Sequence, residues 1–425
     1  MRHSARAYSV RHGRLPVRTA RGPVARLIAS VLAVAAVSAT AVTAYAVEDT
    51  VSSLKPSIHL VSASGKSVAA PPSVGAESGA VNILLAGTDT RTGQGGQFST
   101  ADELAGSSGA GNNDVTMVLH LSADHTHATV ISIPRDLMVP IPSCPTAGGG
   151  STWAQSSAQF NTTLSTGGLS CVVLTAEALT GLSIPYAAEI SFDGVIAMSN
   201  AVGGVTVCLA TPVTDPYVGL ELPAGQQTLV GQQALAFVRS RHGVGDGSDL
   251  GRISNQQLFL SALLRKATSA GTLGNPFTLY SLAKAATSNI QLSDTLASPT
   301  TLVSIALALK SVPLSDFVFL QYPAMTDPDN PNRVVPEPDG VSALKQALAA
   351  DVPVVLTGHT GDGTVSATAT PTPTPAPSSA ATAPATPTTP ATGSTPSPTP
   401  SSTDVALPSD VTGQTADEQT CTKGN

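Results

Sequence analysis

Val81-Asn-Ile-Leu-Leu-Ala86, Val115-Thr-Met-Val-Leu-His-Leu121 and Ala128-Thr-Val-Ile-Ser-Ile133 decide the fold class of this chain. Each is a short apolar run bounded by turn-forming residues, the pattern of a buried or half-buried strand. Further along, Val172 to Thr180, Phe192 to Val202, Ile253 to Ala270 and Thr301 to Lys310 have the spacing or length of helices. Gly204 to Leu209 and Ala234 to Val238 read as two more strands. Strands first and helices interleaved later predict an α/β or α+β domain, a central mixed sheet with helices packed against it.

The domain has flanks of a different composition. Seven arginines and no acid precede Leu27, and an uncharged apolar stretch runs from Leu27 to Val47. That stretch has roughly the 20 residues needed to cross a bilayer, and the arginines predict a cytoplasmic N-terminus. A cleaved signal peptide is the rival, since Ala44-Tyr45-Ala46 resembles a cleavage site, but the apolar run exceeds the usual length of such peptides. We therefore read residues 1–26 as a cytoplasmic basic tail, 27–47 as a transmembrane helix, 48–78 as an extracytoplasmic stalk and 79–362 as the folded domain. Residues 363–403 are Thr-Pro, Ser-Pro and Ala-Pro repeats with no charge and no large apolar side chain, which predicts an extended, disordered linker. A short segment, 404–425, follows with Cys421. The basic tail suits contact with anionic membrane lipid; nothing in the chain suits nucleic acid.

An exported domain suits disulfides, and Cys144, Cys171, Cys208 and Cys421 lack the close spacing of a zinc site. Three pairings are open. Joining Cys144 to Cys171 would clip the Gly-rich loop between them, and we favour it.

The chemistry concentrates in Ala236-Phe-Val-Arg-Ser-Arg-His-Gly-Val-Gly-Asp-Gly-Ser-Asp-Leu-Gly-Arg-Ile-Ser-Asn-Gln-Gln257. If Ala234 to Val238 is a strand, Arg239 and Arg241 project to one side. Asp249 would then cap a helix on which Arg252 and Gln256, four apart, share a face near the positive end, a place suited to phosphate. Asp89 and Asp114 lie at strand ends, where loops often carry sites. Two carboxylates beside clustered arginines are what Mg2+ bridging phosphate oxygens requires, because that ion takes hard oxygen ligands and only one or two carboxylates. Arg135 follows Pro134 at the mouth of the third strand.

Gly87-Thr-Asp-Thr-Arg91, Asn113-Asp114 leading into an apolar strand, Ser132-Ile-Pro-Arg-Asp136, Gly203-Gly-Val-Thr-Val207 and Phe237-Val-Arg-Ser-Arg-His242 followed by Asp249, Arg252 and Gln256 together resemble the LytR-CpsA-Psr family of actinobacterial type, in order and spacing, across about Val81 to Leu320. The resemblance implies a membrane-anchored extracytoplasmic phosphotransferase. Such an enzyme moves a glycopolymer from a polyprenyl-diphosphate carrier to peptidoglycan, leaves a phosphodiester link, and allows a pyrophosphatase side activity. It implies Asp89 and Asp114 as Mg2+-associated acids and Arg91, Arg135, Arg239, Arg241, Arg252 and Gln256 as diphosphate-binding groups. It further implies Arg135, Arg239, Arg241 and Asp249 as the catalytic set, and helices and a sheet that enclose an apolar prenyl tunnel.

Arginine suits this task because its planar fork meets phosphate oxygens bidentately. Asp249 and His242 both qualify by position as the proton acceptor, and we leave the base unassigned. The chain departs from the family at two places: Asn112 and Gln159 stand where basic residues are common. Each missing charge-assisted hydrogen bond would cost roughly 1.5–3 kcal/mol of diphosphate binding unless Arg91 or another group substitutes. The alternatives are a non-catalytic glycolipid-binding or wall-scaffold protein, which would tolerate those losses, and a hydrolase of the same lipid diphosphate. Trp153, the only tryptophan, is expected as a packed loop anchor, with a glycan or lid surface as the other reading.

Overall fold

Period-two alternation along the first three strands feeds two separate cores, one on each face of a sheet. In the computed structural model, which describes residues 45–68, 79–88, 111–146, 149–367 and 404–425, the three runs are the strands Val81–Thr88, Asn113–Leu121 and Ala128–Ile133. Leu84, Ala86, Val118, Ile131 and Ile133 enter one core. Val81, Met117, Leu121 and Val130 enter the other. A sheet buried on both faces needs a cover on each. Helices Thr163–Thr180 and Pro338–Ala350 close the first face through residues such as Val172 and Leu344. Pro299–Ser311 and part of Asp249–Thr268 close the second through Ile305, Leu260 and Leu264.

The central sheet has seven strands in the order Ile290–Leu292, Tyr186–Ile190, Val81–Thr88, Asn113–Leu121, Ala128–Ile133, Phe317–Gln321 and Gly413–Thr415. Two of its pairings are parallel and four antiparallel, so the sheet is mixed, as expected. A second, four-stranded sheet runs Gly225–Leu229, Val205–Leu209, Thr420–Thr422, Thr364–Ser366. Its core joins Val205, Val207 and Leu229 to Phe237 of the helix Gln232–Arg239 and to Leu258 and Phe259 of Asp249–Thr268. The Asp249–Thr268 helix thus packs between the two sheets.

Four expectations are corrected. Ala234 to Val238 is not a strand but the middle of the helix Gln232–Arg239, because five apolar residues fit either period and the preceding Gly231, at φ 59°, starts a new element. Arg239 and Arg241 therefore do not share a strand face. Part of the expected stalk packs on the domain: Leu60 is buried, Ile58 N donates to Leu292 O at 2.8 Å, and His59 Nδ1 is 2.6 Å from Asp294 Oδ2. The expected linker does not take in Thr364–Ser366, which is a strand; its remainder, 368–403, lies outside the described residues. Trp153 is 93% exposed and anchors no packing.

The unit Ser53–Asn425 contains all of these elements, and a helix over 45–52 falls in the unit Met1–Ser52. Among the described residues no helix is long and apolar enough to cross a membrane; the anchor predicted at 27–47 lies outside them except for its last three positions.

The segment after the low-complexity stretch is part of the fold. Val405–Ala406 pairs with Val354–Val355, Gly413–Thr415 closes an edge of the central sheet, and Thr420–Thr422 lies inside the second sheet. Disulfides join Cys144 to Cys171 and Cys208 to Cys421, across sequence separations of 27 and 213. Loop-closure entropy assigns these bonds about 3.5 and about 5 kcal/mol respectively. Replacing Cys208 and Cys421 by alanine should lower the thermal midpoint more than replacing Cys144 and Cys171, and scanning calorimetry of the two double variants would reveal the opposite order if the longer bond were incidental.

Candidate active site

Three backbone elements deliver charge to one place. Asp114 opens the strand Asn113–Leu121, Arg135 and Asp136 leave the strand Ala128–Ile133 after Pro134, and Asp249 and Arg252 occupy the first turn of the helix Asp249–Thr268. The helix cap is Ser248, whose Oγ accepts from Gly251 N at 3.2 Å. Asp249 is therefore the first helical residue, not the cap, and is free to face Arg252 one turn on.

Arg135 is the hub. Its Nη1 donates to Asp114 Oδ1 at 3.1 Å, and its Nε lies 3.4 Å from Asp136 Oδ2 and 3.6 Å from Asp249 Oδ1. Arg252 Nη2 is 2.5 Å from Asp249 Oδ1 and donates to Asp114 O at 2.9 Å. Burial works to lower the Arg135 pKa, but Asp114, Asp249 and Asp136 outweigh it and hold the guanidinium more firmly charged than usual. Burial raises the Asp249 pKa, and Arg252 and Arg135 offset this only in part.

The cluster is not self-sufficient. Among the described residues, both carboxylate oxygens of Asp249 and the Nε atoms of Arg135, Arg241 and Arg252 are buried with no hydrogen-bond partner of good geometry. Buried polar atoms in that state ordinarily have a ligand, an ion or water to meet. Phosphate oxygens suit the arginines. The Asp114 carboxylate, which faces the polar cavity, suits a hard divalent cation that takes one or two carboxylates. Asp89 and Arg91, predicted as metal and phosphate groups, lie outside the described residues.

Two cavities meet at this cluster. One, of about 460 Å³, is lined mainly by apolar groups such as Leu85, Val195, Leu235 and Phe259, and Arg239, Arg252 and Gln256 also line it. The other, of about 760 Å³, is polar and lined by Arg135, Asp136, Gln159, Arg241, Asp249 and Arg333 among others. Asp114 lines both. Arg252 on the apolar side is ion-paired with Asp249 on the polar side, so the charged cluster stands between them. Arg239 and Arg241 thus face different cavities. The Arg239 guanidinium sits 4.4 Å from the centre of the Phe192 ring, and Gln256 Nε2 donates to Val238 O at 2.9 Å.

Three contributors were not singled out from sequence. Asp136 receives Gln159 Nε2 at 2.8 Å and lies 3.4 Å from Arg333 Nη1. Arg333, from the hairpin strand Asn330–Pro336, brings a cation beside the position where Gln159 lacks one. Asp215 is fully buried and accepts from Ser240 Oγ, Arg241 N, Gly243 N and Tyr217 N at 2.8–3.2 Å. Burial pushes its pKa up, but these donors outweigh it and the net shift is downward. The adjacent motif Arg135-Asp136 was a local signal for Asp136; for Asp215 and Arg333, far away in sequence, there was none. His242 is exposed, its ring 4.4 Å from that of Tyr217, and it lines neither cavity.

The model of the LytR_cpsA_psr family matches residues 34–347. The cell wall biosynthesis protein LcpA of Corynebacterium glutamicum is 34% identical over 238 residues, 52% of this chain and 46% of that protein. The polyisoprenyl-teichoic acid–peptidoglycan teichoic acid transferase TagU of Oceanobacillus iheyensis is 32% identical over 197 residues, 46% of this chain and 54% of that protein. The chain therefore spans about half the length of the curated relatives it matches. A crystal structure of a Streptococcus agalactiae protein, 22% identical, superposes with a TM-score of 0.51 over 64% of this chain and 87% of the other, a likeness of fold. With the family model matching most of its length, this chain belongs to the LytR_cpsA_psr (LytR-CpsA-Psr) family.

Proposed function

We propose that this protein transfers a glycopolymer phosphate from a polyprenyl-diphosphate carrier to a peptidoglycan hydroxyl. It would do so outside the cytoplasmic membrane, held there by the Leu27 to Val47 anchor. One observation carries the reading: a buried acid–arginine cluster stands where an apolar cavity meets a polar one. An amphiphile with an anionic head matches that arrangement, its chain among Leu85, Val195 and Phe259 and its diphosphate against the guanidiniums. TagU's name specifies a polyisoprenyl-linked polymer and a peptidoglycan acceptor, and the two disulfides suit an oxidising compartment.

In this mechanism Arg239 and Arg252 hold the prenyl-side phosphate and Arg135 and Arg241 the glycan-side phosphate, with Gln256 beside them at the mouth of the apolar cavity. The acceptor hydroxyl enters through the polar cavity and its oxygen attacks the glycan-side phosphorus in line. A new O–P bond forms, the bridging P–O bond breaks, and prenyl phosphate leaves with the bridging oxygen. The hydroxyl proton passes to Asp249, whose burial raises its affinity for a proton. Asp114, with Asp89, would hold Mg2+, which when bound would neutralise charge on the diphosphate oxygens. Arg333 takes over the phosphate-side charge absent at Gln159, and this weighs against a purely binding or scaffold role.

The test is to incubate the purified full chain with Mg2+, a polyprenyl-diphosphate-linked glycan and uncrosslinked peptidoglycan and to analyse the products by mass spectrometry. A phosphodiester adduct supports the transferase, free glycan phosphate alone points to a hydrolase, and bound but unchanged lipid to a binding protein. Chelation should abolish adduct formation and Mg2+ restore it. Arg135→Ala and Asp249→Asn should each lower kcat by about 10²–10³, and undiminished rates in both would remove the site proposed.

Val195→Trp should shrink the apolar cavity. We expect affinity for a long-chain prenyl diphosphate to fall at least about tenfold while inorganic pyrophosphate binds as before; equal losses for both ligands would mean that the cavity does not receive the chain.

A further inference from the structure

The loop that presents Arg241 is held from two sides, neither of them sequence-near. On one side Asp215 receives Arg241 N and Gly243 N. On the other, the segment Lys423–Asn425 lies along the same loop: Gly245 N donates to Lys423 O at 2.8 Å, Asn425 N to Gly243 O at 3.1 Å, and Asn425 Nδ2 to His242 O at 3.1 Å. Val244 and Gly424 form an antiparallel bridge.

The same segment also grips the helix that carries Asp249 and Arg252. Thr422 Oγ1 donates to Asn255 Oδ1 at 2.7 Å, and Asn255 Nδ2 donates onward to Phe237 O at 2.9 Å, in the helix that ends at Arg239. Lys423 N donates to Gly363 O at 2.9 Å, and Gly363 packs so closely on Gly251 that a Cβ there would overlap Gly251 O. Cys421, bonded to Cys208, fixes the register of this segment in the second sheet.

We propose that residues Thr422–Asn425 are positioning residues for the diphosphate site. They form a disulfide-fixed arm that sets the Arg241 loop and the Asp249 helix relative to each other. Backbone bonds to residues 242–245 leave Arg241 few conformations, so its buried Nε meets the polar cavity pre-oriented and loses little freedom on binding an oxyanion. The arm touches no substrate; it acts through Arg241. The proposal rests on the diphosphate reading for its consequence, but the bracing itself can be measured without ligand.

A Cβ on Gly424 would overlap Pro212 O, so Gly424→Val displaces the arm while leaving Cys421 in place. Asn425→Ala is the milder variant, removing one bond to His242 O. In the full chain, hydrogen exchange should quicken at the amides of 241–245 in Gly424→Val, by about tenfold, with a smaller change in Asn425→Ala. Calorimetric binding of farnesyl diphosphate with Mg2+ should weaken about tenfold in Gly424→Val, and the loss should vanish when Gly424→Val is placed in an Arg241→Ala background. Unchanged exchange, or an equal loss of binding with and without Arg241, overturns the proposal. Faster exchange in a protein that binds no diphosphate at all would uphold the bracing and sink the functional reading instead.

Discussion

The constraint on which the rest of this structure depends is the burial of Asp249 against Arg252 and Arg135. An ionised carboxylate removed from water costs several kcal/mol even after the surroundings relax. Here the cost is offset in part by two guanidiniums delivered from different parts of the chain: Arg252 from the same helix and Arg135 from the end of a central strand. The arrangement is therefore a tertiary commitment. It holds only while the sheet, the helix and the loop after Pro134 keep their places, and removing one member of such a buried group typically costs about 3–5 kcal/mol.

That commitment explains the composition of the helix Asp249–Thr268. A helix covering a sheet ordinarily turns an apolar stripe inward and a polar one outward. This one buries Asp249, Arg252, Ser254, Asn255, Gln256, Gln257 and Ser261, because it lies between two sheets and has little solvent face in its first three turns. Its buried polar groups are satisfied by neighbours: Asn255 by Phe237 O and Thr422, Gln257 by Ser132, Ser261 by Gln414. The exceptions are the atoms of Asp249 and Arg252 beside the cavities. Polar groups satisfied along the helix and unpartnered ones at its tip make the helix a rigid support for the charged cluster.

How much of this was legible in sequence divides along a physical line. Apolar runs bounded by turn residues revealed the first three strands because burial on both faces leaves a near-continuous apolar signature, and helices such as Phe192–Ala201 and Pro299–Ser311 were long enough to betray their period. The Ala234 to Val238 run was too short for either period to win, and reading it as a strand put Arg239 and Arg241 on one face when the helix turns them to different cavities. Asp114, Arg135, Asp249 and Arg252 do converge, through motifs whose spacing places them at element ends. Asp215 and Arg333 reach the site through long-range packing, which leaves no local pattern. Asp89 and Arg91 are outside what the structure describes.

The segment 404–425 is the clearest case of function hidden from local pattern. Read alone, it is a short polar stretch with one cysteine, beyond a low-complexity region that cannot bury a core. Yet Thr364–Ser366 before that region and Thr420–Thr422 after it are neighbours in one sheet, so both ends of the low-complexity stretch are fastened to the domain. Closing a long loop costs only about 0.6 kcal/mol for each doubling of its length, which a few backbone bonds outweigh. The insertion can thus vary in length at little energetic cost, provided that Cys421 still finds Cys208. Selection for the fold would act on the two fastened ends, and it is the far one that carries the contacts to the arginine loop.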